Sequence, residues 1–310
     1  MEIVFFLSAA VKAGTCLLYA TLGEIISEKV GHLNLGVEGM MQIGAVIGFI
    51  AGFTSGNPYV AVLCAALAGA AGAMIYGFLT VSLKSNQVVT GLALTIFGIG
   101  FAAFFGKAFV GKKVPEAITT FFQPVKLPFL GDIPFVGNIF FNQSVYVYFS
   151  YFLVILVYIY LYKTKWGLNT RMIGENPVAA DASGIPVDRY KYFNIAVCGA
   201  LCGLGGAFLS LVYISIFPVN VVGGRGWIAV ALVIFAMWNP GKAMLGAYFF
   251  GAMDIASFWL QTYNFPVSIY FFNALPYLAT VFVLIFTSMR NHENKKEPAW
   301  LGKNYFKEDR

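Results

Sequence analysis

Residues 88–110 read VVTGLALTIFGIGFAAFFGKAFV, and the first charged side chain in that run is Lys107. Nineteen uncharged residues wound as helix reach about the 30 Å thickness of a bilayer's hydrocarbon core. Leu, Ile, Val, Phe and Ala are mixed without two-residue alternation, so the segment is a helix and not a strand of a membrane barrel. Similar runs fill the rest of the chain. Of its 310 residues 59% are hydrophobic and 11% charged, and mean hydropathy is +0.76, too few polar groups to cover a water-soluble fold. The 33 glycines fit helices that pack closely in lipid.

Outward from 88–110, the expectation is an all-α polytopic transmembrane bundle of about nine spans, plus or minus one. They fall near 4–22, 34–53, 58–83, 88–110, 144–163, 190–216, 226–239, 243–262 and 267–288. Lys12 near the middle of the first span is costly, so residues 1–11 are alternatively an interfacial segment. Met1-Glu2 offers no basic leader region, and the first apolar segment is expected to be retained.

Basic residues choose the orientation. With the C-terminus inside, Lys29, Lys84, Lys163, Lys165, Arg171, Arg189, Lys191, Lys242 and six tail residues are cytoplasmic. Lys107, Lys112, Lys113, Lys126 and Arg225 are outside, which satisfies the positive-inside rule by fourteen to five. The net charge of +6 is therefore read as topology and not as a nucleic-acid surface. The domain plan is a membrane domain over 1–288, with an external loop at 111–143 and a cytoplasmic loop at 164–189, then a basic cytoplasmic tail over 289–310. The external loop carries Pro115, Pro124, Pro128 and Pro134 among six phenylalanines and is expected to pack on the outer mouth. Cys198 and Cys202, one turn apart in an apolar run, are packing residues; the four cysteines form no disulfide or metal pattern.

The cytoplasmic loop, GLNTRMIGENPVAADASGIPVDRYK over 167–191, contains a punctuated short helix. Asn176 suits the N-cap, Pro177 the first helical position, and Gly184 a left-handed end, with Pro186 blocking continuation. So short a helix is unstable alone in water, so neighbouring protein must support it. An ordinary capped loop helix accounts for the capping equally well.

Ionisable or polar residues within spans are functional candidates by default. Asn34 and Glu38 share one helix face, with Gly36 and Gly39 loosening the backbone between them; Asn220 precedes Gly223, Gly224 and Gly226, a second glycine-rich interruption in the other half of the chain. Asp254 is mid-span. Each could line a pathway or serve as an interhelical partner. Arg225, placed at the outer boundary, suits an anchor, an inter-segment ion pair or a docking contact. The aromatic content needs no ligand to explain it.

The pattern G-x-N-x-R-x-x-G-E-N-P-x-A-A-x-A-S-G-I resembles the coupling-helix segment of importer permeases in the ribose, nucleoside and branched-chain amino acid branch of ATP-binding-cassette transporters. Four further blocks resemble the nucleoside (simple sugar) permeases: GEIISEKVG (23–31) with LNLGVEGMM (33–41), NQVVTGLALT (86–95), GRGWIA (224–229) running to WNP (238–240), and ALPYL (274–278). One departure is Ala236, where similar permeases carry glycine.

The resemblance implies a channel-forming subunit in the cytoplasmic membrane, with a short cytoplasmic coupling helix seated in a separate ATPase. That role falls on Glu175, Asn176, Pro177, Ala179, Ala180, Ser183 and Gly184. It further implies a second permease chain, identical or homologous, an extracellular substrate-binding lipoprotein for which Arg225 is the docking candidate, and a nucleoside substrate. Asn34, Glu38, Asn220 and Asp254 are the pathway candidates. No GxxxxGK[ST] loop occurs, so ATP-Mg belongs to the partner ATPase and the chain itself needs no cofactor. A ribose or other simple-sugar permease is the alternative. An ion-coupled secondary transporter using Glu38 or Asp254 leaves the coupling loop unexplained, and no HExxH or GxSxG motif suggests an intramembrane enzyme.

Overall fold

The computed structural model describes residues 2–214, 216–262, 274, 278, 281, 282, 285 and 297–306. Within them the chain forms twelve α-helices and one antiparallel pair of two-residue strands. The helices are α1 (Glu2–Lys29), α2 (Val37–Ser55), α3 (Pro58–Gly77), α4 (Gln87–Gly106), α5 (Glu116–Phe121), α6 (Val136–Phe140), α7 (Val145–Lys163), α8 (Lys165–Glu175), α9 (Pro177–Ala182), α10 (Val187–Phe208), α11 (Arg225–Phe235) and α12 (Pro240–Thr262). Single π-helical turns at Phe78–Ser82 and Leu209–Tyr213 extend α3 and α10.

Among the described residues, six helices are long and apolar enough to cross a membrane: Ile3–Lys29, Val37–Ser55, Pro58–Ser82, Gln87–Phe109, Val145–Lys163 and Val187–Tyr213. These hold the first six expected spans. The seventh, 226–239, is instead the 11-residue α11, about 16 Å long and half a bilayer core. It stops because Met237 and Trp238 turn into left-handed backbone (φ 51° and 55°) before Pro240 opens α12. The eighth lies in the 23-residue α12. The ninth, 267–288, falls outside the described residues apart from five single positions, as does most of the 274–278 block. The expected nine spans are thus not reached among the described residues. At the N-terminus α1 is one continuous helix through Lys12, with no separate interfacial piece.

At the centre, α10 lies against α1, α2 and α3, while α1 also packs on α12 and α2 on α4. No hydrophobic effect drives helices together inside lipid, so contact depends on close backbone approach. The α2, α3 and α10 contact has this character: a Cβ on Gly44 would strike the Gly203 backbone, one on Gly203 the Ala65 carbonyl, and one on Gly69 the Gly199 carbonyl.

The two ends of the bundle differ. At one, the 111–143 connection folds as α5, the hairpin β1 (Val125–Lys126) with β2 (Asn142–Gln143), and α6. It buries Ile118 and Phe122 and is tied by Gly111 and Lys112 to Phe217, whereas Phe129 and Phe135 stand exposed. At the other end, α8 and α9 meet the close of α1 and the tail, since Trp300 N–H bonds the Gly174 carbonyl and Gly302 N–H that of Gly31.

Gly203→Leu is expected to remove folded, monodisperse protein from detergent extracts, because overpacking a backbone contact costs on the order of 1–3 kcal/mol or more. Gly100, with nothing within 4 Å of a built Cβ, is the control. Gly100→Leu should extract and melt like the parent in size-exclusion and thermal-shift measurements, and a matching profile for Gly203→Leu would refute the packing argument.

Candidate functional site

The first site is α9. Asn176 caps it, its Oδ1 accepting the Ala179 N–H at 3.0 Å, Pro177 takes the first helical position, and Gly184 closes it at φ +80°. The preceding α8, capped by Thr164 accepting the Gly167 N–H at 3.0 Å, replaces the loop expected there from the sequence. Its two glycines look like breakers, yet they are packing positions: a Cβ on Gly167 would strike the Tyr160 carbonyl, and one on Gly174 the Lys29 carbonyl.

Six helical residues do not hold together unaided, and α9 has its own small core. Ala180 is fully buried with Val30, Ile173, Val187, Tyr190 and Tyr305, with Val178 and Ile185 packed against them. This divides the seven candidates by face. Pro177 and Ala180 point inward; Glu175, Asn176, Ala179, Ser183 and Gly184 are exposed. Two clefts open at this end of the bundle, the larger beside α8 and the smaller beside α9. One of about 780 Å³ is lined by Lys29, Lys163, Arg171 and Glu175, the other of about 470 Å³ by Lys84, Asp181, Asp188 and Arg189.

The second site lies where α11 begins. The Thr21 hydroxyl donates to the Ala229 carbonyl at 3.3 Å, and the Trp238 indole N–H donates to Glu28 at 2.5 Å. These contacts fix the depth of α11 beside α1. Arg225, four residues before Ala229, therefore sits about 6 Å further from the α9 end, near the middle of α1. Its guanidinium bonds Asp254 at 3.0 Å and lies over the Tyr213 ring, and both charged side chains remain partly accessible.

A helix that starts inside the bundle leaves its first N–H groups without helical partners. Glu38 takes two of them: Oε1 accepts the Gly224 N–H at 2.9 Å and Oε2 the Gly226 N–H at 2.7 Å. A carboxylate here also complements the positive end of the helix dipole. The geometry requires glycine, since Gly223 and Gly224 have φ +60° and +87°, and a Cβ on Gly226 would collide with Glu38. Asn220 accepts the Gly223 N–H at 3.1 Å and a short bond from the Gln42 amide.

Glu38, Asn220, Arg225 and Asp254 thus meet around one helix start. Asn34 does not join them. It is fully buried, its Oδ1 accepting the Gly36 N–H at 2.9 Å in the turn before α2, and its own N–H donating to Glu24 at 3.0 Å. Glu24, Glu28 and Gln42 were missed. Ending the first span at residue 22 hid two carboxylates one turn apart on α1, although both stand in the 23–31 block.

The profile of the family described as branched-chain amino acid transport system / permease component matches residues 5–287. A Haloferax volcanii protein assigned as glucose ABC transporter permease protein TsgC13 is 42% identical over 80% of this chain and 75% of its own length. Guanosine ABC transporter permease protein NupQ of Bacillus subtilis is 33% identical over 92% of this chain and 93% of its own. Nucleoside ABC transporter permease protein NupC of Lactococcus lactis is 33% identical over 76% and 77%. With apolar membrane-length helices, a half-depth helix held by a carboxylate and a capped helix outside the bundle, this chain belongs to the permease family of branched-chain amino acid type transport systems, among relatives named for nucleoside and sugar ABC transport.

Proposed function

We propose that this chain is the path-forming subunit of an ATP-binding-cassette importer for nucleosides in the cytoplasmic membrane, with its α9 end in the cytoplasm. The observation that carries this reading is α9. A capped helix seated on its own small core, with Asn176, Ala179 and Ser183 on the outer face, is a rigid knob suited to a partner's cleft. The basic residues of the α8–α9 region and of the turns beside it support the cytoplasmic placement.

In this reading a separate ATPase binds ATP-Mg and closes on α9. A second permease chain, identical or homologous, completes the path, and an extracellular lipoprotein delivers the solute. Arg225, paired within the bundle, suits the path better than a docking surface. Glu38, Asn220, Arg225 and Asp254 form a polar ring at mid-depth, with all four held by protein partners. Such a ring can exchange internal hydrogen bonds for those of a hydroxyl-rich solute when the helices part. Asn34 acts one step back, by fixing the turn from which Glu38 projects.

Nucleosides are favoured because the guanosine permease relative aligns over nearly the whole length of both chains. A simple-sugar substrate is the second reading, supported by the higher identity to the glucose-assigned relative. Competition of labelled guanosine uptake by unlabelled glucose, and the converse, distinguishes them in a strain lacking its own copies of this importer.

Ala179→Arg places a bulky charge on the outer face of α9 without touching its core. It should abolish uptake and solute-stimulated ATP hydrolysis while membrane insertion and thermal stability stay parental; full uptake would sink the docking assignment. Glu38→Gln sets an amide NH₂ against a helix-start N–H, donor against donor. Initial uptake rates should fall about tenfold or more, the cost of a buried donor left unpaired. Parental rates would show that the carboxylate is dispensable.

A further inference from the structure

Residues 297–306 do not trail from the bundle. Ala299 N–H bonds Glu175 Oε2 at 3.2 Å, Trp300 N–H the Gly174 carbonyl at 2.9 Å, and Gly302 N–H the Gly31 carbonyl at 3.2 Å. Asn304 donates to the Ser85 carbonyl at 3.1 Å and accepts from the Gln87 amide at 3.2 Å. Tyr305, almost fully buried in the α9 core, donates its hydroxyl to Asp181 at 2.9 Å. One short segment therefore clasps α8, α9, the turn after α1 and the turn before α4. Two of those places are left-handed turns, Gly31 at φ +91° and Lys84 at φ +52°.

The contacts continue inward. Gln87 Oε1 accepts the Leu33 N–H at 2.9 Å, and Leu33 precedes Asn34, which sets the turn into α2. One turn on, Glu38 holds the start of α11. An unbroken series of bonds and covalent links thus runs from Asp181 on α9 through Tyr305, Asn304, Gln87 and Leu33 to the mid-depth ring.

We propose that residues 297–306 form a coupling strap, in which Tyr305 and Asn304 are positioning residues that pass the displacement of α9 to the turn leading into α2. The proposal rests on the reading of α9 as the ATPase-driven element. An inert terminal latch would need only apolar burial. This segment instead meets one turn with the Asn304 side chain, a second with the Gly302 N–H and the driven helix with the Tyr305 hydroxyl, an arrangement that moves them as one body.

The test uses the assembled transporter, full chain included, in proteoliposomes with whichever labelled solute the parent takes up, guanosine or glucose. Tyr305→Phe removes only the hydroxyl that meets Asp181; Asn304→Ala removes the link to Ser85 and Gln87. Both should retain ATP hydrolysis near the parental rate while uptake falls several-fold, raising the ATP spent per solute, and the double variant should raise it further. A parental ratio of ATP to solute in both variants overturns the strap. So does a proportional fall of uptake and hydrolysis together with a lowered melting temperature, which marks a structural role alone. Ala179→Arg in the same assay separates the two ideas. If it abolishes both activities while Tyr305→Phe and Asn304→Ala change neither, the strap fails and the docking reading stands; if it changes nothing, the docking reading fails and takes the strap with it.

Discussion

The carboxylate of Glu38 at the start of α11 is the contact on which the interior of this protein depends, because a helix end cannot stand open inside a membrane. Each unsatisfied N–H in a water-free interior costs several kcal/mol by transfer arguments. Two such groups, on Gly224 and Gly226, are taken by one side chain. Everything nearby follows from that approach. Gly226 must lack a Cβ, Gly223 and Gly224 must turn through left-handed backbone, and α2 must begin where Glu38 can reach. The turn containing Asn34 and Gly36 sets that starting point, and it is in turn bonded to Glu24 on α1.

The other end of α11 is held differently. Trp238 donates to Glu28, and its carbonyl accepts from Tyr162, so that end is fastened to α1 and to α7. The half-helix is therefore a strut between a carboxylate on α2 and a carboxylate on α1. The remaining helices meet through small residues, where Gly44, Gly69, Gly199 and Gly203 bring α2, α3 and α10 backbone to backbone. Such contacts are unforgiving of side-chain growth yet carry few interlocking groups. Specificity of arrangement falls on the polar contacts at the helix ends.

What was legible in the sequence follows from how local each signal is. The cap at Asn176, Pro177 and Gly184 needs only neighbouring residues, and it was read to the position. Spans such as 88–110 declare themselves by composition. The half-length of α11 was hidden because its residues are as apolar as those of a span; its ends are set by tertiary contacts of Glu38, Glu28 and Trp238. The spacing of Asn34 and Glu38, four residues apart, predicts one helix face, but the helix starts between them at Val37, so they serve different places. Helix α8 was concealed by Gly167 and Gly174, whose purpose is close contact with Tyr160 and Lys29. The inter-segment ion pair was one of the readings open to Arg225, but its partner Asp254, 29 residues later, had no local signal to name it.

A partly buried ion pair such as Arg225 with Asp254 contributes little stability, since desolvation offsets much of its attraction. It is better understood through its surroundings. Both partners keep some exposure, and they lie beside the start of a half-length helix whose Gly223, Gly224 and Gly226 N–H groups are taken by Asn220 and Glu38. The start of α11 is thereby satisfied by protein groups, while Asn220, Arg225 and Asp254 keep polar surface exposed beside it. Under the proposed pathway role, those exposed donors and acceptors are the groups that a hydroxyl-rich solute would meet. Where α11 starts and stops is then set by where α1 and α2 are held, because Glu38 on α2 and Glu28 on α1 grip its two ends.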